Sequence, residues 1–184
     1  CNYYCDANKI CGVPCAEFDL MEANMYAFAS TVHSATDPYG TSAGYGGGRS
    51  TWPYNSYGID SACINTRYPF NLITEIVDRN IYVTLHQKGC DLHIVHADAP
   101  EDLLHAMRGG LTPVASLWGG QDINMDWLDG SVCEKSNSEF ENLVFSITPW
   151  TNFIQFSENR DVSATMGDVV PLLCLFVLVS TVVL

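Results

Sequence analysis

Short runs of β-branched and aromatic residues, broken by clusters of Gly, Asn, Asp and Pro and never sustaining a helical period, constrain this chain more than any other feature. Such runs fit strands with one buried face, so an all-β fold is expected. Strands are predicted over 16–20, 27–32, 70–77, 80–87, 91–96, 112–118 and 142–148, with a single helix over 101–108. At 184 residues and 47% hydrophobic content there is material for one domain with a real core and little more.

Two segments depart from that pattern. Residues 36–57, TDPYGTSAGYGGGRSTWPYNSY, are rich in Gly, Ser, Tyr and Pro and have no apolar period, which predicts a long loop. Its tyrosines and Trp52 either wall a cleft for stacking on sugars or pack on themselves. The chain closes on VVPLLCLFVLVSTVVL, residues 169–184, with no charge. A spanning helix wants about twenty residues and positive flanks. The segment instead resembles the removed tail of a GPI signal, with Ser157 or Ser163 as attachment site and 157–168 as polar spacer; a short membrane helix is the alternative. The expected organisation is a domain over 1–156, a spacer over 157–168 and a hydrophobic tail over 169–184.

Eight cysteines stand at 1, 5, 11, 15, 63, 90, 133 and 174. Four within fifteen residues point to disulfides and an oxidising, extracellular compartment. Their gaps of 3, 5 and 3 residues are not the two-residue knuckle of a zinc site. Leaving out Cys174 makes the count odd, and the chain opens on Cys1 inside the run CNYYCDANKICGVPC. Both features predict a piece of a longer precursor whose missing part holds a cysteine partner and the first strands of the fold; a free thiol also satisfies the odd count. Net charge is −13, from 21 acidic and 8 basic residues without a basic cluster, which excludes nucleic acid as a partner and is compatible with an uncharged glycan.

The chemistry concentrates in Cys15-Ala-Glu17-Phe-Asp19-Leu-Met-Glu22-Ala-Asn24, three carboxylates in six residues alternating with apolar side chains. On a strand Glu17 and Asp19 share a face, whereas Glu22 sits at an odd offset and needs a bulge near 20–22 to join them. Two carboxyl groups about 5 to 5.5 Å apart are what a retaining glycosidase uses, one to attack the anomeric carbon and one to protonate the leaving oxygen. A calcium site or a solvated acidic edge is the plain alternative.

The stretch EFDLMEAN, residues 17–24, resembles the active-site strand of glycoside hydrolase family 7, the cellobiohydrolases and endoglucanases, whose form is Glu-x-Asp-x-x-Glu-Ala-Asn. His33, eleven residues after Glu22, stands where the family has its active-site histidine. SLWGGQDINMDWLDG, residues 116–130, is similar to the family's SLW…NMxWLD segment. The resemblance covers about residues 15–149, the C-terminal half of a family catalytic domain. It implies a concanavalin-like β-sandwich (jelly roll), a β-1,4-glucan polysaccharide as substrate, no cofactor, a monomer, and membrane contact only through the tail or an anchor. It further implies Glu17 as nucleophile, Glu22 as acid/base, Asp19 as the residue orienting the nucleophile, and His33 on the leaving-group side. Trp118 and Trp127 are implied to stack on sugar rings on either side of the scissile bond.

Departures from the family pattern are Met21 in place of tryptophan, Gly119 and Gly120 in place of an Asp pair, and no arginine-bearing loop after Asp129. Met21 is expected to face the core. A glycan-binding, lectin-like protein on the same sandwich is the competing function, but it has no need to keep all three carboxylates.

Overall fold

The computed structural model describes residues 4–118 and 124–132, with the backbone alone for Leu117 and Trp118, and the backbone of three later strands. In chain order the strands are β1 (Glu17–Ala23), β2 (Phe28–His33), β3 (Thr41–Gly46), β4 (Arg49–Ser50), β5 (Tyr57–Gly58), β6 (Ile64–Asn65), β7 (Phe70–Val77), β8 (Asn80–Gln87), β9 (Cys90–His96) and β10 (Thr112–Trp118). The later three are β11 (Gln155–Ser157), β12 (Arg160–Val169) and β13 (Phe176–Val182). Two helices, α1 (Glu101–Gly109) and α2 (Asp126–Asp129), complete an all-β fold. The expected strand at 142–148 lies outside the described residues.

Apart from the short parallel pair β5 and β6, pairing is antiparallel. One sheet runs β10-β13-β1-β2-β3-β4 and the other β11-β12-β7-β8-β9. The second is a meander whose side chains alternate with period two: Phe70, Leu72 and Thr74 on β7, Ile81, Val83 and Leu85 on β8, and Leu92, Ile94 and His96 on β9 are buried. Lys88 and Gly89, both at positive φ, close the β8–β9 hairpin, the backbone that a two-residue turn between right-twisted strands requires. The first sheet adds Phe18, Leu20, Met21, Ala23, Phe28 and Val32 to the same core. Between the sheets the buried His96 Nε2 lies 3.1 Å from Ser30 Oγ, and burial pushes its pKa down to about 4.

One expectation changes, one open alternative is decided, and one segment gains a second reading. Residues 36–57 are not one loop: β3 and β4 form a hairpin across Gly47 and Gly48 and extend the first sheet. Trp52 is buried against Phe28 and Tyr57 and donates from Nε1 to the His93 carbonyl at 2.7 Å, so it belongs to the core and does not face a sugar. Segments assigned to spacer and tail also contribute to the sheets, because β12 pairs with β7 and β13 lies between β1 and β10. A run rich in Val, Leu and Thr suits a strand covered on both sides as well as it suits a membrane, and hydropathy does not separate the two.

Cys5–Cys15 and Cys63–Cys90 are disulfide-bonded, Cys11 is bonded too, and no described cysteine is free. The odd count therefore leaves no unpaired thiol among the described residues. These bonds fit an extracellular protein. No helix among the described residues is long and apolar enough to cross a membrane.

Candidate active site

The geometry of the carboxylates follows from one irregularity in β1. Across the β1–β2 pair Asp19 faces Thr31 while Glu22 faces Ala29, three steps on one strand against two on the other. The β1–β13 register slips at the same place, between Asp19 and Met21. One extra residue turns the side chains that follow by half a period, so Glu22 rejoins the face of Glu17 and Asp19. Leu20 and Met21 both enter the core, which is where the expected fate of Met21 is met.

That outer face of the first sheet is covered, unlike an ordinary solvent face. Glu17, Asp19 and His33 are each 5% exposed, and Glu22 is partly buried. His33 Nε2 lies 2.9 Å from Asp19 Oδ2, and its Nδ1 lies 3.1 Å from the Asp37 carbonyl. Thr31 Oγ1 donates to Glu22 Oε2 at 3.2 Å. Over Glu17 lies the segment preceding β1, pinned by the Cys5–Cys15 disulfide, and the Ala7 backbone N–H donates to Glu17 Oε2 at 3.2 Å.

Two roles implied by resemblance meet different surroundings. Asp19 was expected to orient Glu17, yet its Oδ2 is taken by His33 and its Oδ1 is buried with no hydrogen-bond partner among the described residues. It acts on Glu17 as a neighbouring negative charge. His33 was expected on the leaving-group side, but its register position is opposite Glu17, whereas Glu22, farther along β1, lies opposite Ala29.

Burial and crowding of like charge drive the protonation states. Desolvation first, then the charge of Asp19, raises Glu17 from an ordinary carboxylate value to about 7, against the Ala7 N–H and His33. The same two causes raise Glu22 to about 8, opposed by Thr31, His33 and Arg49. Burial pulls His33 down, but the bond and charge of Asp19 outweigh it and lift the imidazole to about 9. Near neutral pH His33 is therefore a cation set against Asp19.

The second motif meets the first in space. Asn24, fully buried, accepts from the backbone N–H groups of Tyr26 and Ala27 at 2.8 Å each, shaping the β1–β2 turn. Its Nδ2 donates to Asp129 Oδ2 at 2.9 Å, fastening α2 to that turn. Met125 and Leu128 pack on Ala27 and Ala29, small residues that let the helix sit on the sheet. Gly44, opposite Ala29, is held to glycine because a Cβ there would collide with the Phe28 carbonyl. Trp127 is 46% exposed, consistent with a surface ring, whereas Trp118 ends β10 opposite Phe176 and its side chain lies outside the described residues.

Several neighbours of the site were not singled out in the sequence. Tyr4 lies near Asp6, Glu17 and Asp19, and burial with those charges raises its phenol to about 12. Arg49 reaches the site from β4, and its charge acts on Glu22. Its signal was present, a lone arginine after three glycines in a chain with only 8 basic residues, but it was absorbed into the supposed loop. Among the described residues no cluster of three His, Cys, Asp or Glu side chains could hold a metal ion.

No protein-family model matches this chain, and no curated protein or solved structure matches it either.

Proposed function

We propose that this chain carries the active-site strand of a retaining β-1,4-glucan hydrolase. The observation that carries the reading is the bulge in β1, which gives Glu17, Asp19 and Glu22 one common face at a spacing where a regular strand would not. In the first step a Glu17 carboxylate oxygen attacks the anomeric carbon. The glycosidic C–O bond breaks, and Glu22 gives its proton to the departing oxygen. Water then attacks the glycosyl-enzyme, losing a proton to Glu22 and returning Glu17 as carboxylate. Burial and the charge of Asp19 raise both glutamates, the direction that an acid holding its proton near working pH needs. Trp127 and Trp118 are the proposed stacking residues, and the proposed fold is the concanavalin-like sandwich of family 7.

Trapping decides the reading. A 2-fluoro glucoside with an activated leaving group should label Glu17, and soluble cello-oligosaccharides should be released from β-glucan. A label on Glu22 reverses the roles. Binding of glucan without turnover favours a lectin-like protein.

The anchor reading concerns the same chain end. Attachment of a GPI lipid at Ser157 or Ser163 would remove the residues of β13, so strand and anchor are alternative fates of 176–182. Treating intact cells with a phosphatidylinositol-specific phospholipase separates them.

A further inference from the structure

We propose that Arg49 is a positioning residue of this site, one side chain that fixes Trp127 as a one-faced platform for a sugar ring and stands as a constant positive charge beside Glu22. The proposal rests on the reading of Glu22 as acid/base.

Register puts Arg49 on the site face, opposite Gly46, with Gly44 and Ala29 leading from it toward Glu22. The absence of large side chains along that path leaves room for a long one to lie across the sheet. Its guanidinium is committed in four directions. Nε donates to Ser42 Oγ at 3.1 Å, Nη1 to the carbonyls of Gly46 at 3.3 Å and Leu128 at 2.9 Å, and Nη2 to the Trp127 carbonyl at 3.0 Å. A guanidinium has five N–H groups in a fixed fork, so among the described residues a single one, on Nη2, has no acceptor and can turn to substrate.

The same group lies over the Trp127 ring, its central carbon 5.8 Å from the centroid. One face of the indole is thereby filled by a cation and its orientation set, which leaves the other face for a pyranose. α2 is only four residues long, and its own hydrogen bonds do not hold a ring still.

Charge supplies the second half of the argument. Among the described residues the charges that act on Glu22 are Asp19 from β1, His33 from β2 and Arg49 from β4; Glu17 shares its face of β1, while Asp129 on α2 is engaged with Asn24. Arg49 opposes the rise that burial and Asp19 impose on Glu22, and Glu22 in turn opposes the loss of Arg49's proton. When Glu22 hands its proton to a leaving oxygen, the carboxylate it becomes is met by a cation already in place, with no reorganisation. Through Arg49 the ring that holds the leaving sugar and the group that protonates it share one anchor.

The experiment compares the full chain with R49M, similar in bulk but neutral, and R49K, which keeps charge without the fork. Carboxyl-labelled glutamate reports the Glu22 titration by NMR, 5-fluorotryptophan reports Trp127, and kcat/KM on a soluble β-glucan is followed against pH. In R49M the Glu22 midpoint should rise by about half a pH unit or more, the alkaline limb of kcat/KM should move with it, and the Trp127 resonance should shift. R49K should restore the limb while leaving the Trp127 resonance displaced and KM several-fold high. If R49M does not fold, R49Q serves as the neutral variant. A Glu22 midpoint unchanged in a folded neutral variant overturns the proposal. Absence of turnover by the unaltered chain defeats the hydrolase reading instead, and the glutamate titration still decides the role of Arg49.

Discussion

β8 and β1 contribute to one core, yet β8 alternates buried and partly buried side chains along its length while β1 is buried at six of its seven positions. On β8 the outer face carries Tyr82, Thr84 and His86, polar groups that reach solvent or a cross-strand partner, as Thr84 does with His93 at 3.0 Å. On β1 the outer face carries Glu17, Asp19 and Glu22 beneath the N-terminal segment and beside α2, where water is thin and each charge feels the others. Outward-facing positions thus give solvated polar groups on the regular strand of one sheet and strongly shifted acids on the bulged strand of the other. The cover over the face, more than the strand, makes the chemistry.

The most severe way to break that comparison is to remove β13, which separates β1 from β10 in the first sheet and has no counterpart among the elements that hold β8. A chain ending at Val169 should lose its cooperative unfolding transition and its near-ultraviolet dichroism, because both neighbours would be left with open edges. A urea midpoint equal to that of the full chain would show the strand to be dispensable.

Next in size are substitutions on the two outer faces. Gly44→Val forces a side chain into the Phe28 carbonyl and should destabilise by about 3 kcal/mol or more. Thr84→Val on the outer face of β8 should stay within about 0.5 kcal/mol. Equal shifts in urea midpoint would mean that the two faces are not differently covered.

The same contrast explains what was legible in the sequence. β7, β8 and β10 fall on their expected residues because strict alternation and turn residues mark an ordinary half-buried sheet. β1 was legible for another reason: spacings of two and then three between carboxylates imply a bulge if all three are to share a face. β3 was not legible, since Gly44 and Gly46 occupy the face where larger side chains would have displayed the period, and Ala43 and Tyr45 alone were too short a signal. Arg49 was missed with it, because its place depends on a helix nearly eighty residues away in sequence. The tail was not legible as a strand, because an apolar strand and a membrane segment have the same hydropathy.

Asn24→Ala tests how the cover is fastened. It removes the bond to Asp129 and leaves the Tyr26 and Ala27 N–H groups without their shared acceptor, so a loss of about 2 to 3 kcal/mol is expected. If α2 is held mainly through this residue, the Trp127 environment should change in the folded variant as well, read by 5-fluorotryptophan NMR. Stability lost with Trp127 unmoved would assign Asn24 to the turn alone.

The pH dependence of stability separates the interior from the site face by its sign. Glu17, Glu22 and His33 all have folded values above their ordinary ones, so the native state keeps protons that the unfolded chain has released. Their contribution is complete below about 4.5 for the glutamates and about 6.5 for the histidine. It is lost as pH rises through about 7, 8 and 9 respectively. His96, between the sheets, works in the other direction: with a folded value near 4, its contribution is present above about 6.5 and lost on acidification. Between these limits two glutamates outweigh one histidine, so this part of the stability should peak near the ordinary carboxylate value and decline steadily toward pH 9. Urea midpoints across pH should show E22Q flattening the alkaline decline and His96→Asn flattening the acid one. Should E22Q leave the alkaline slope untouched, the cover over β1 is more open than its burial indicates, and the contrast with β8 falls with it.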